Sequence, residues 1–141
     1  GKYKQYDIAF PAWRMKGDDL RASIGLAQLK KLPALNSRRN ELVKNYNKAF
    51  ELERVGNHLY PILVKDRQKF MDTMMEAGIQ CAVHFRPLHT TTAYKKYPKL
   101  GKLPNTEFLG KHIVSLPLYP KLTAKEQNYI ISKVLDTKQL M

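Results

Sequence analysis

His58 to Phe85 reads HLYPILVKDRQKFMDTMMEAGIQCAVHF, and its apolar period changes twice. The run from His58 to Val64 is a strand by its density of branched and aromatic side chains, and Pro61 within it argues for an edge position or a bulge. From Asp66 to Ala77 the apolar positions Phe70, Met74 and Ala77 fall one helical turn apart, and Gly78 stands where a helix commonly ends. Beyond the glycine the period returns to two. Ile79, Cys81, Val83 and Phe85 fall on one face of a second strand, while Gln80, Ala82, His84 and Arg86 fall on the other.

The same reading extends both ways. Upstream, Asp18 and Asp19 supply a cap and first-turn negative charge for a helix with Leu20, Ile24 and Ala27 on one stripe. Pro33 should kink or restart it, after which Leu35, Leu42, Tyr46 and Phe50 carry the stripe to about Glu53. A long N-terminal helical segment at 19–53 results, with Arg38, Arg39, Lys44 and Lys48 largely outside. Downstream, residues 98–104 read as a loop, and Asn105 as the cap of a short helix carrying Phe108, Leu109 and His112. Val114, Leu116 and Leu118 alternate as a strand ended by Pro120. Thr123 and Glu126 stand at capping-box spacing before a last helix with the apolar Ile130, Ile131, Val134 and Leu135. The order helix, strand, helix, strand, helix, strand, helix predicts an α/β or α+β domain in which helices cover a small sheet.

At 141 residues with 43% hydrophobic content, one domain with its own core is expected. The single Cys81 excludes an internal disulfide framework and fits a reducing compartment, read here as the cytoplasm. No apolar run approaches a membrane span, and the start at Gly1 shows no signal pattern, so the expectation is an excerpt or a processed product. The formal charge of +13 raises the question of a polyanionic partner. The excess is evenly spread: twelve Lys/Arg against six Asp/Glu over residues 1–60, and thirteen against six over 61–141. The one local run, Lys95, Lys96, Lys99 and Lys102 interleaved with Tyr94 and Tyr97, reads as a solvated loop ahead of a nucleic-acid track.

CAVHFRPLH, residues 81–89, concentrates the candidate chemistry. His84 and Arg86 share a strand face. Pro87 then fixes a turn, so His89 lies beyond the strand in a loop. His84 and His89 are five apart across a proline, which is not a metal-ligand spacing. Cys81 with His84 does not make a thiol nucleophile, because alternation sends the two side chains to opposite faces, and Cys81 is assigned to the core. His58 and His112 are assigned ordinary hydrogen bonds. Neither a glycine-rich phosphate loop nor a paired carboxylate is present. Residue chemistry alone thus gives a cationic, imidazole-bearing face suited to an anionic ligand.

The order of motifs carries a resemblance. Trp13-Arg14-Met15, DLRASIGLAQLKKL (Asp19–Leu32), HLYPILV, GIQCAVHFRPLH, KLPNTEFLGKHIVSLPLYPKLT (Lys102–Thr123) and the closing helix together resemble the C-terminal part of the DegT/DnrJ/StrS family of pyridoxal-phosphate sugar aminotransferases. HFR…H, LPNTE and SLPLYP resemble most the branch that makes UDP-4-amino-4-deoxy-L-arabinose. The resemblance implies residues 1–141 as the C-terminal small domain of a fold-type I aminotransferase, a homodimer in which glutamate gives its amino group to a keto sugar on a nucleoside diphosphate. It implies pyridoxal phosphate, held mainly by a large lysine-bearing domain that this sequence does not contain. No lysine here matches the family's cofactor lysine.

Residue by residue, the resemblance places Arg14 near the cofactor phosphate or substrate of the neighbouring subunit, and His84, Arg86 and His89 near the sugar nucleotide, with Tyr94 in the following loop. The sequence also departs from the family: Phe10-Pro11-Ala12 lacks a polar side chain at Ala12, Lys16-Gly17-Asp18 is inserted before the helix, and the link from Glu53 to His58 is short. Three readings stay open. They are an aminotransferase small domain, a non-catalytic binding or dimerisation module on the same scaffold, and a basic nucleic-acid-binding protein.

Overall fold

The computed structural model describes residues 17–94, 96–97 and 101–141. Helix α1 spans Asp19–Phe50, followed by β1 (Tyr60–Leu63), α2 (Arg67–Glu76), a 3₁₀ turn at Leu88–Thr90, α3 (Pro104–His112), β2 (Ile113–Leu116) and α4 (Ala124–Asp136). The chain divides into two compact units at Pro33 and Ala34. In the first, Asp18 caps α1 by accepting from the Arg21 amide at 2.8 Å, and Leu20 is 73% exposed. α1 runs unbroken through Pro33 where a restart was allowed, since proline removes one hydrogen bond and strong helix formers flank it. It ends at Phe50, short of Glu53, because Glu51 turns into the left-handed region with φ 56°.

The second unit holds the core. Leu42, Tyr46 and Phe50 of α1 pack with Tyr60 and Ile62 of β1, Phe70 and Met74 of α2, Val114 and Leu116 of β2, and Ile130 and Val134 of α4. Buried Gln127 ties α4 to α1 by donating to the Leu42 carbonyl at 2.7 Å while accepting from Asn45. Gly78 leaves α2 at φ 74°, as the sequence predicts, while Asp66, read as the first helical residue, is instead its cap. The capping box closes at α4, and hydrogen bonds from Thr123 hold the Glu126 carboxyl below its ordinary pKa. Of the apolar positions read on α4, Ile130 and Val134 are buried and Leu135 is exposed. α3 begins one residue before the expected cap. Pro104 takes the first helical position, where its missing N–H costs nothing, and Asn105 lies inside.

β1 and β2 pair antiparallel with Tyr60 opposite Leu116 and Pro61 opposite Ser115. Ser115 turns both backbone groups away from Pro61, accepting from the Ala82 amide at 3.1 Å and donating to the Ala82 carbonyl at 2.8 Å. The proline therefore sits where β1 owes β2 no donor, on an edge.

The predicted strand at 79–86 contracts to that single bridge at Ala82. Extending an antiparallel ladder would pair His84 with Ile113 and Gln80 with Pro117. The Ile113 amide is already donated to Leu109 at the end of α3, and Pro117 has none. Both neighbouring rungs are thus lost. The alternating face survives through Ile79 and Cys81, which are buried, and fails at Phe85, which is 82% exposed. Likewise β2 stops at Leu116, ahead of the predicted Leu118.

Candidate functional site

Released from the sheet after Ala82, the chain crosses the end of α3 and turns at Leu88–Thr90. Pro87 starts the turn, and the Thr90 hydroxyl donates back to the Pro87 carbonyl at 2.7 Å. Arg86 fastens the same turn, donating from Nε to Thr90 Oγ1 at 3.1 Å and from Nη2 to the Thr90 carbonyl at 3.0 Å. His89 folds inward, where Nε2 lies 3.3 Å from Glu107 Oε1 of α3 without the alignment of a hydrogen bond.

Two cavities flank this segment. The larger, of about 680 Å³, is lined by Arg86 and His89 together with Arg67, Glu107 and Lys111. The smaller, of about 310 Å³, is lined by His84, Phe85 and Arg86 with the apolar Leu59, Leu109 and Ile113. Arg86, Pro87 and Gly110 border both. His84 and His89, adjacent in the sequence argument, therefore serve different cavities, and Arg86 joins them. Arg14 lies outside the described residues, as do Lys95 and Lys99. Arg67 and Lys111 were missed as site residues, because each reads as an ordinary helix surface cation. Only the packing of α2 against α3, where Arg67 donates from Nη1 to the Gly110 carbonyl, brings them together.

The other histidines keep structural roles or open positions. His112 donates from Nδ1 to the Val64 carbonyl at 2.9 Å, and His58 is exposed in the bend before β1. Among the described residues, no group of three His, Cys, Asp or Glu could hold a metal ion, and no helix is long and apolar enough to cross a membrane.

Cys81 is buried, and burial pushes its thiol up to about 11. Burial also pushes the Tyr60 phenol up to about 12, against a smaller opposing pull from Arg54, and raises Tyr46 further still. Each folded-state pKa lies above its unfolded value. The stability these groups contribute is therefore complete below the unfolded pKa and is lost as pH rises through the folded one. Urea unfolding from about pH 8 to about pH 11 should show a falling midpoint, with a shallower fall in Tyr46→Phe. Equal slopes in the two proteins would show that Tyr46 does not contribute.

The donors around the larger cavity suit an anion, and they sit on an α/β scaffold of helices around a small sheet. The class so defined is an α/β domain with a cation-lined cavity. Its particular family follows from comparison: the DegT/DnrJ/EryC1/StrS aminotransferase family matches residues 1–135, and the chain belongs to that family. An uncharacterized protein of Methanocaldococcus jannaschii is 35% identical over 92% of this chain and 39% of its own length. A family aminotransferase from Brucella abortus superposes with a TM-score of 0.82 at 27% identity, over 96% of this chain and 39% of that one. A putative sugar aminotransferase from Streptococcus pneumoniae, in its PLP-form, gives 0.79 at 30% identity, over 96% and 40%. The chain thus spans about 39% of the length of the curated Methanocaldococcus jannaschii relative.

Proposed function

We propose that residues 1–141 form the C-terminal small domain of a pyridoxal-phosphate-dependent sugar aminotransferase that moves an amino group from glutamate to a keto sugar on a nucleoside diphosphate. The observation that carries this reading is the meeting of Arg86 and His89 with Arg67 and Lys111 around one cavity, a cationic site of the kind a nucleotide sugar needs. His84 takes its part from the neighbouring cleft, in contact with the less polar portion of the ligand. The finer assignment to UDP-linked 4-keto pentose rests on the HFR…H, LPNTE and SLPLYP stretches. Homodimerisation, a cytoplasmic location and a role in cell-envelope polysaccharide synthesis belong to the same proposal and are carried by the family alone.

Among the described residues, the cavity has His89 as its one aromatic ring and Glu107 as its one carboxylate, and the two lie against each other, so the cofactor is assigned to the part of the enzyme that this chain does not span. Bound there, it supplies the electron sink for amino transfer. Arg14 is proposed to approach its phosphate. What this chain's own residues do is bind and orient: Arg86 holds charge at the junction of the two cavities, and the turn it fastens sets the position of His89.

Arg86→Ala in the complete enzyme should raise the Michaelis constant for the nucleotide sugar about tenfold or more, since a charge-assisted contact is worth roughly 1.5–3 kcal/mol. His84→Ala should act in the same direction and less strongly. Steady-state kinetics decide it. Unchanged substrate saturation in both variants would remove the cavity from substrate binding and leave a non-catalytic module as the better reading.

A further inference from the structure

We infer that Thr90 is a positioning residue, whose hydroxyl sets the plane in which Arg86 meets its ligand. The ligand's identity rests on the proposed function. The role of Thr90 rests on the geometry of the segment.

Three threonines in a row follow His89, at 90–92, and they look interchangeable in the sequence. The fold gives them different partners. The Thr90 hydroxyl donates to the Pro87 carbonyl at 2.7 Å and accepts from Arg86 Nε at 3.1 Å, so its proton and a lone pair are both engaged. The Thr90 carbonyl accepts from Arg86 Nη2 at 3.0 Å. Thr91 makes the equivalent turn bond, donating to the Leu88 carbonyl at 2.7 Å, while both Arg86 bonds go to Thr90. Arg86 itself is exposed between the two cavities, so packing does not hold its long side chain. An unheld arginine samples many rotamers, and that freedom is lost when a ligand binds. Two bonds to one residue remove it beforehand. Bonds at Nε and Nη2 together fix the plane of the rigid fork, whereas either alone leaves it free to swing about the contact. Thr90 takes up two of the five guanidinium N–H groups, and three stay available to a ligand, both of those on Nη1 among them. Because the hydroxyl is seated in turn by the Pro87 carbonyl, the direction of Arg86 is tied to the turn at Leu88–Thr90.

Two measurements test this, and Thr91→Val is the control in both, since it loses a turn bond of the same kind and length. In the full chain, NMR relaxation of the Arg86 Nε–H group should report a restrained side chain in the parent, in Thr90→Ser and in Thr91→Val, and a freely moving one in Thr90→Val. This arm needs no turnover, so it decides the positioning whatever sugar the enzyme accepts. In the complete enzyme, Thr90→Val should raise the Michaelis constant for the UDP-linked 4-keto pentose roughly fivefold with kcat little changed, the scale of one lost hydrogen bond. Thr90→Ser and Thr91→Val should stay within about twofold of the parent. Combined with Arg86→Ala, Thr90→Val should add less than about twofold, because a residue that acts through Arg86 then has nothing to act on. A full effect in that background would make Thr90 a direct contact, and equal effects of Thr90→Val and Thr91→Val would make it part of the turn alone. Either result overturns the inference, as does an Arg86 side chain equally restrained in Thr90→Val. If Arg86→Ala itself leaves saturation unchanged, the binding reading falls and takes this one with it. If Arg86→Ala raises the constant and Thr90→Val does not, the inference fails alone.

Discussion

Tyr46→Ala should cost about 3–5 kcal/mol of folding stability, the range for removing a large aromatic from a packed core. Tyr46 is fully buried on α1, 4.7 Å from the ring of Tyr60 and stacked on Phe50 at 5.7 Å. Its hydroxyl donates to the Pro117 carbonyl at 3.0 Å, so one side chain joins α1 to β1 and to the end of β2. The alanine leaves a cavity and an unsatisfied carbonyl together. Tyr46→Phe keeps the ring and loses only the hydrogen bond, and about 1 kcal/mol is expected. Domains of this size hold about 5–15 kcal/mol, so the alanine variant should lose about a fifth or more of the total. Urea titration of both variants checks this, provided the slope is unchanged. An alanine variant within about 1 kcal/mol of the parent would mean that the helix packs on the sheet less tightly than its buried rings require.

Much of this core was legible because its signals are local. Gly78 ends α2, the Thr123–Glu126 box opens α4, and the apolar periods of Phe70 with Met74 and Ile130 with Val134 name the inward faces. What the sequence misstates depends on partners. The alternation of Ile79, Cys81, Val83 and Phe85 predicts a strand, yet a strand exists only where a neighbour can donate and accept. Pro117 and the α3 cap at Ile113 remove two of the three rungs. The same contraction reshapes the site. Arg86 no longer stands beside His84 on an open sheet face but sits between two cavities, fastened to Thr90. Arg67 lies 43 residues from the glycine whose carbonyl holds it, a distance that no local pattern reports.

Gly110→Ala gives the sharpest test of how that segment is seated, because the same substitution at Gly25 should have the opposite sign. A Cβ on Gly110 would lie 2.4 Å from Pro87 Cγ and 2.8 Å from Cδ. The proline ring cannot rotate out of the way, so either α3 or the segment carrying Arg86 and His89 has to move. Overpacking of this kind costs about 1–3 kcal/mol. Part is offset by the gain of about 0.8–1 kcal/mol that alanine brings to a helix interior in place of glycine. A net loss of up to about 2 kcal/mol is expected. At Gly25 of α1 nothing lies within 4 Å of the new methyl, so only the gain remains. Circular dichroism through a thermal ramp should therefore show Gly110→Ala destabilised and Gly25→Ala with equal or greater helix stability. The shift at Gly110 should also reach the cavity. Its carbonyl orients Arg67 and an added Cβ displaces Pro87, so the Michaelis constant for the nucleotide sugar should rise in this variant of the complete enzyme. Parent-like stability and binding in Gly110→Ala would show that the segment holding Arg86 yields freely, and that Gly110 plays no part in placing it.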